Sequence, residues 1–105
     1  MSGELEFKTE LAEEFVKVYI KGEIDIYNAQ KFKEKLCEII ETFKKDLKID
    51  LTELNYLDST GLGIFVSVLK KAKTNGKDIY LLNLKENIKK LFKITGLDKI
   101  FKIEW

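Results

Sequence analysis

The chain has no histidine, no proline and only one cysteine, and each absence excludes a class of chemistry or structure. Without histidine, Ser-His-Asp and Cys-His catalysis and the usual zinc ligand sets are ruled out. The single Cys37 excludes an internal disulfide and is typical of a reducing compartment. We expect this thiol to lie on a helix face or partly buried, and to be unreactive.

Long apolar runs are also missing, so no segment approaches the length of a membrane span. Residues 1–5 have neither the basic region nor the apolar stretch of a signal peptide. We therefore expect a cytoplasmic protein. The net charge is +1, with lysines scattered among glutamates, which gives no reason to expect a nucleic acid or membrane partner. Few amides with abundant Lys and Glu indicate a thermophilic source.

The 105 residues predict one domain, spanning residues 1–105, that begins with a β-hairpin. Leu5–Leu11 alternates apolar and polar residues, and residues 15–20 form a second such run. The short link at residues 12–14 predicts a hairpin between them. Gly22 is predicted to end the second strand.

Three helices alternate with the following strands. The predicted helices span residues 27–43, 60–73 and 85–95, and the predicted strands span 47–51, 79–82 and 100–103. The first helix has an apolar face made of Ala29, Phe32, Leu36, Ile40 and Phe43. The third directs Ile88, Leu91 and Phe92 inward and is followed by Gly96, where a helix C-terminal glycine belongs. Residues 79–82 are nearly all apolar, which predicts a strand covered on both faces.

The pattern as a whole predicts an α/β fold, a single-domain mixed β-sheet covered by helices. The strand-to-helix loops after residues 20 and 51 then open at one end of the sheet, because crossovers are nearly always right-handed. Asp25 and the loop at Asp58 and Ser59 should therefore share one surface.

Asp58, Ser59 and Thr60 place a carboxylate and two hydroxyls where the second helix begins. The first N–H groups of a helix lack internal partners and stabilise a phosphate, so Ser59 is a candidate phosphoacceptor. N-capping alone also explains any one of these side chains. Gly61 and Gly63 fall in the first turn, at a cost of about 1 kcal/mol each relative to alanine. That cost indicates close approach by another backbone or by a partner surface.

Residues 58–63, Asp-Ser-Thr-Gly-Leu-Gly, resemble the phosphoacceptor motif of bacterial anti-sigma-factor antagonists, the small single-domain members of the STAS family. Gly22-Glu23-Ile24-Asp25 resembles the motif that leads from the family's second strand into its first helix. Residues 95–101 resemble the family's C-terminal segment. The three motifs occur in the expected order, and the resemblance extends over about residues 5–103. Gln30 departs from it, since many relatives carry proline there, and should affect only how the first helix starts.

The resemblance implies a binding protein with no catalytic residue, cofactor or metal. Unphosphorylated, it would bind an anti-sigma factor that is itself a serine kinase, and so release the sigma factor. Phosphorylation of Ser59 would remove that affinity, and a serine phosphatase would restore it. Thr60 is the second candidate acceptor. The free chain is expected to be a monomer.

Each residue near Ser59 has two possible roles, one structural and one functional. Asp58 and Asp25 are either capping residues or carboxylates that orient the Ser59 hydroxyl and shape recognition. The other candidate residues of the partner surface, which could equally be ordinary loop or packing residues, are Gly22, Glu23, Tyr27, Asn28, Tyr56, Thr60, Gly61, Leu62 and Gly63. Leu62 more often belongs to a core than to an interface. Trp105 either covers the sheet edge or is disordered.

Two other functions fit the same residues. A nucleotide or small ligand could occupy the helix start, although residues 61–63 lack the lysine of a P-loop and the spacing of a dinucleotide fingerprint. The chain could also be a subunit of a larger signalling or transport assembly, where STAS-like domains occur too. A serine-nucleophile enzyme has little support, because no Ser-x-x-Lys motif falls at Ser59.

Overall fold

The computed structural model describes residues 5–104, which form one five-stranded sheet with its strands in sequence order. The elements are β1 (Leu5–Leu11), β2 (Phe15–Ile24), α1 (Ala29–Phe43), β3 (Asp46–Leu57), α2 (Ser59–Thr74), β4 (Ile79–Leu82), α3 (Glu86–Ile94), a 3₁₀ turn (Leu97–Lys99) and β5 (Lys102–Glu104). β1 and β2 form the antiparallel hairpin, and the remaining pairs are parallel. The predicted α/β class with a mixed sheet and an opening hairpin is confirmed.

The core lies between one face of the sheet and the helices. Val18, Ile49 and Leu81 stand in register on three neighbouring strands, and all are fully buried with residues of α1, α2 and α3. Each crossover advances one strand in the same direction. Right-handed crossovers of this kind place every helix on the same side. No helix within residues 5–104 is long and apolar enough to cross a membrane.

Within the described residues no helix packs on the second face of the sheet, so the prediction that residues 79–82 are covered on both faces holds only in part. Leu82, on this face, is buried, whereas Tyr80 is not. Tyr80 lies on this face, half-buried, in one row with Lys48 and Lys102. The ammonium groups of these lysines lie 5.7 and 5.4 Å from the centre of the Tyr80 ring. Lysine stems that lie along aromatic rings shield apolar surface from water, which lets the strand remain open on this side.

β3 is longer than predicted, and it carries two residues more than the stretch of β2 with which it pairs. Tyr19 pairs with Asp50 and Lys21 with Glu53, so one residue of β2 faces two of β3. A second irregularity follows, where Gly22 pairs with Leu54 and Glu23 with Tyr56. Such bulges interrupt the two-residue period of a strand. The buried residues of β3 beyond Asp50 therefore recur every third position, at Leu51, Leu54 and Leu57.

Gly22 does not end β2, as predicted, but lies inside it at the second bulge. Its φ of 120° belongs to a backbone conformation that side chains disfavour, so glycine is required by the bulge. The strand continues to Ile24. This extension carries β2 to the same end of the sheet as the last residue of β3.

Asp50 is the buried charged residue of the described chain, and its carboxylate holds the first bulge in place. It accepts hydrogen bonds from the Thr52 N–H at 2.9 Å, the Thr52 hydroxyl at 2.6 Å and the Asn83 side chain at 3.1 Å. Burial opposes ionisation, but these bonds and the nearby Lys17 outweigh it and lower the pKa of the carboxyl below its ordinary value. β3 is thereby fixed to the loop that follows β4.

The helix predictions hold apart from their ends. α1 begins at Ala29 rather than at residue 27, and Phe43 lies 39% exposed, whereas Ile39 takes the buried place. Phe43 is the last residue of the helix before the left-handed Lys44 turns the chain away. Gly96, with φ of 75°, is the predicted C-terminal glycine. Cys37 is half-buried as expected, and burial raises the pKa of its thiol. Trp105 lies outside the described residues.

Candidate functional site

The two predicted loops lie next to each other at one end of the sheet. Ile24 and Leu57 are paired residues on the parallel strands β2 and β3. The next residue in each segment is Asp25 and Asp58, so both loops leave the sheet side by side. We call this edge the acceptor end. The predicted juxtaposition of Asp25 with the Ser59 loop is confirmed.

Asp25 and Asn28 lock the loop between β2 and α1 through reciprocal hydrogen bonds. The Asp25 carboxylate accepts from the N–H groups of Tyr27 at 2.9 Å and Asn28 at 3.2 Å. The Asn28 side-chain oxygen accepts from the Asp25 N–H at 3.0 Å, and its NH₂ group donates to the Glu23 carbonyl at 2.8 Å. The Asp25 carboxylate therefore stabilises the turn, but Asp25 is not the predicted cap of the first helix, because the N-cap of α1 is Asn28. Asn28 shapes the turn and is not an ordinary exposed loop residue.

Between these two polar residues the turn exposes apolar side chains. Ile26 is 64% exposed and Tyr27 77% exposed, and on the neighbouring strand Tyr56 is 48% exposed. Glu23, which pairs with Tyr56, is half-buried. Ile26 was absent from the predicted site residues. The sequence did contain a signal for its exposure. Ile26 lies in a turn, where it belongs to the buried face of neither a strand nor a helix.

The N-cap of α2 is Asp58, not Ser59. Asp58 has an extended backbone, and its carboxylate accepts a hydrogen bond from the Gly61 N–H at 2.9 Å. Its carbonyl accepts the first helical bond, from the Leu62 N–H at 2.9 Å. Within residues 5–104 the Asp58 carboxylate makes no hydrogen bond to the Ser59 hydroxyl. Ser59 is the first helical residue, and both Ser59 and Thr60 are exposed.

The two glycines of this turn differ in their surroundings. A Cβ added to Gly61 would overlap Leu57 Cδ1 and come within 2.9 Å of Ile24 Cγ2. Gly61 is thus required by close packing on the ends of β2 and β3, within the chain itself. Gly63 is exposed, and a Cβ there would meet nothing within 4 Å. Leu62, between them, is buried in the core.

The third strand-to-helix loop is tied to the same edge. Asn55, the extra residue of β3 at the second bulge, bonds through its side chain to the ammonium of Lys85. Its carbonyl accepts from the Asn87 side chain at 3.3 Å. These two hydrogen bonds hold the start of α3 beside the acceptor end.

Two clefts lie away from the Ser59 loop. One, of about 520 Å³, lies between the open-face side chains of β1, β2 and β3, with Tyr19 and Asp50 in its lining. Another, of about 510 Å³, is lined by the hairpin turn together with Lys48 and Tyr80. Neither contains a residue of segment 58–63 in its lining. The described residues contain no cluster of metal-ligating side chains.

We predict that Asp58→Ala lowers the free energy of unfolding by about 1 kcal/mol, because the Gly61 N–H loses its capping partner. Urea unfolding followed by circular dichroism measures this loss. Asp58→Asn is the matched control, since the amide oxygen can still accept from Gly61, and its stability should stay near that of the wild type. An equal loss in both variants would show that the cap is not the stabilising contact.

Comparison with known proteins gives a consistent result. The STAS domain model matches residues 6–104. The chain is 34% identical over 99 residues to the anti-sigma-B factor antagonist of Staphylococcus aureus strain NCTC 8325, covering 94% of this chain and 92% of the relative. It resembles the structure of an anti-sigma factor antagonist from Mycobacterium paratuberculosis, with a TM-score of 0.84, 23% identity, and 95% and 85% of the two chains covered. It also resembles the phosphorylated Bacillus cell fate determinant SpoIIAA, with a TM-score of 0.72, 20% identity, and 95% and 92% coverage.

Proposed function

This chain belongs to the STAS domain family, and we propose that it is an anti-sigma-factor antagonist whose binding is switched off by phosphorylation of Ser59. The name of the Staphylococcus aureus relative, which aligns over nearly the whole chain, supports the first part. One structural observation carries the second. Ser59 is exposed at the first position of α2, and its hydroxyl does not cap the helix, because the Asp58 carboxylate does so.

In the proposed cycle, the unphosphorylated chain binds an anti-sigma factor and so releases the sigma factor. The anti-sigma factor is a serine kinase, which supplies ATP, Mg²⁺ and all catalytic groups, and a serine phosphatase reverses the modification. The chain itself contributes no catalytic residue. It acts in the cytoplasm, as a monomer when free. Thr60, exposed beside Ser59, is the second candidate acceptor.

The electrostatics at the helix start suit such a switch. Asp58 occupies the N–H groups of Gly61 and Leu62, which leaves those of Ser59 and Thr60 at the positive end of the helix. A phosphate on Ser59 adds about −1.5 to −2 charges there, and these donors stabilise it. The fold can therefore persist while the surface beside Asp58 becomes strongly negative. Binding is lost through charge at the interface, without unfolding.

The exposed apolar residues of the acceptor end are the proposed anchors for the partner. Aromatic side chains carry a large share of the binding energy in protein interfaces. Of Ile26, Tyr27 and Tyr56, Tyr27 is the most exposed, at 77%. Its backbone N–H, and not its side chain, donates to the Asp25 carboxylate. Its ring is therefore available to a partner at no cost to the turn.

We predict that Tyr27→Ala weakens binding of the unphosphorylated chain to the anti-sigma factor by about tenfold or more, which is about 1.4 kcal/mol. Isothermal titration calorimetry measures the affinity, and thermal melting should show an unchanged midpoint. Leu11→Ala is the matched control. Leu11 is 60% exposed at the opposite end of the sheet, so its loss should leave binding intact. Equal effects of the two variants would remove Tyr27 from the interface.

Phosphate incorporation tests the proposal as a whole. The purified chain is incubated with ATP and Mg²⁺, either alone or with the kinase-type anti-sigma factor of the same organism, and analysed by mass spectrometry. We expect one phosphate, located on Ser59, only when the kinase is present. Phosphate on the chain incubated alone would contradict the absence of catalysis. Phosphate on Thr60 instead would move the acceptor by one residue.

A further inference from the structure

Gly63 is a glycine that the fold itself does not require. It lies inside α2, where glycine is less favourable than alanine, and no positive φ calls for it. A Cβ at this position would point into open space, whereas at Gly61 it would collide with Leu57. Alanine at position 63 would therefore fit and favour the helix. No contact within the described residues accounts for a glycine at this position.

The position of Gly63 relative to Ser59 indicates where that cause lies. Gly63 follows Ser59 by four residues, so the two lie on the same face of α2, with about 5–6 Å between neighbouring side-chain positions. A protein that acts on the Ser59 hydroxyl must therefore also cover Gly63. One turn further, the Ser67 hydroxyl folds back and donates to the Gly63 carbonyl at 3.1 Å. On this face, position 63 thus exposes backbone between the short side chains of Ser59 and Ser67.

We propose that Gly63 is the point at which the anti-sigma factor packs directly against the backbone of α2. This inference rests on the proposed function and adds a steric requirement to it. The phosphate on Ser59 controls binding through charge, whereas Gly63 sets how closely the partner can approach. Any side chain at position 63 holds the partner away from Ser59 and so weakens both binding and phosphoryl transfer.

The test compares Gly63→Ala and Gly63→Leu with the wild type by thermal melting, calorimetric titration of the anti-sigma factor, and the rate of Ser59 phosphorylation. We expect Gly63→Ala to raise the melting temperature by about 4 °C and to weaken binding about tenfold. Gly63→Leu should weaken it at least about 100-fold, with slower phosphorylation in both. A gain in stability together with a loss of binding cannot come from misfolding.

Thr42→Ala is the matched control, because it also exchanges an exposed helical residue for alanine, at the far end of α1. It should raise stability and leave binding unchanged. If wild type and Gly63→Ala bind equally, the inference is overturned and the proposed function stands. If the wild type does not bind, both are overturned. A lower melting temperature for Gly63→Ala would show that the fold needs this glycine, which also overturns the inference.

Discussion

Replacing Phe65 by alanine is expected to lower the free energy of unfolding by about 3–5 kcal/mol. Phe65 is fully buried on α2, at the centre of an aromatic cluster. Its ring centroid lies 5.2 Å from that of Phe32, 5.9 Å from that of Phe92 and 6.4 Å from that of Phe101. These partners come from α1, from α3 and from the segment before β5, so one deletion loosens three contacts.

Urea unfolding followed by circular dichroism measures the effect of Phe65→Ala. Phe43→Ala is the matched control, since the same atoms are removed from a ring that is 39% exposed at the end of α1. Its cost should be at most about 1 kcal/mol. A domain of this size has about 5–15 kcal/mol of stability, so Phe65→Ala should fold but melt early. A loss below about 1 kcal/mol for Phe65→Ala would show that the cluster is not the centre of the core.

Periodicity predicted most of the fold because burial on one face leaves a regular trace in the sequence. The stripe from Ala29 to Ile40 corresponds to the buried side of α1. The alternation in Leu5–Leu11 holds only for its first half, since Leu5 and Phe7 are half-buried but Leu11 is 60% exposed. The juxtaposition of Asp25 and Ser59 was also predictable. It depends only on strand order and on the handedness of crossovers, which hardly varies.

The bulges of β3 were not predictable from the chain itself. Whether a residue is extra in a strand depends on the register of the partner strand, which the local sequence does not encode. Gly22 therefore looked like a strand end, although it serves a bulge inside β2. The second face, on which no helix of the described chain packs, was missed for a related reason. The apolar neighbours of Tyr80 in sequence predict that it is buried. Only the positions of Lys48 and Lys102 on the adjacent strands show how its ring is shielded from water.

At the candidate site, the sequence identified the segment but not the structural role of each residue in it. Asp58, Ser59 and Thr60 are all suitable caps, and the extended backbone of Asp58 decides which one serves. Gly61 and Gly63 are equivalent in sequence. Only the packing of Ile24 and Leu57 separates a glycine needed by the fold from one that faces outward.

The second large effect is expected on binding. Phosphorylation of Ser59, or its replacement by aspartate, should weaken binding to the anti-sigma factor by at least about 100-fold, because uncompensated charge at an interface costs several kcal/mol. Ser59→Ala should bind like the wild type and accept no phosphate. Since Asp58 is the cap, neither substitution removes a helix-capping bond, and circular dichroism should show all forms folded. Any loss of binding then reports charge and not unfolding.

Calorimetric titration of the anti-sigma factor with the fully phosphorylated chain, beside the unphosphorylated chain and Ser59→Ala, tests the switch most directly. The nucleotide is kept as ADP, so that the unphosphorylated chain is not modified during the titration. We predict tight binding by the unphosphorylated chain and by Ser59→Ala, and binding at least about 100-fold weaker by the phosphorylated chain. If the phosphorylated chain binds as tightly as the unphosphorylated one, Ser59 is not the switch, even where it carries the phosphate.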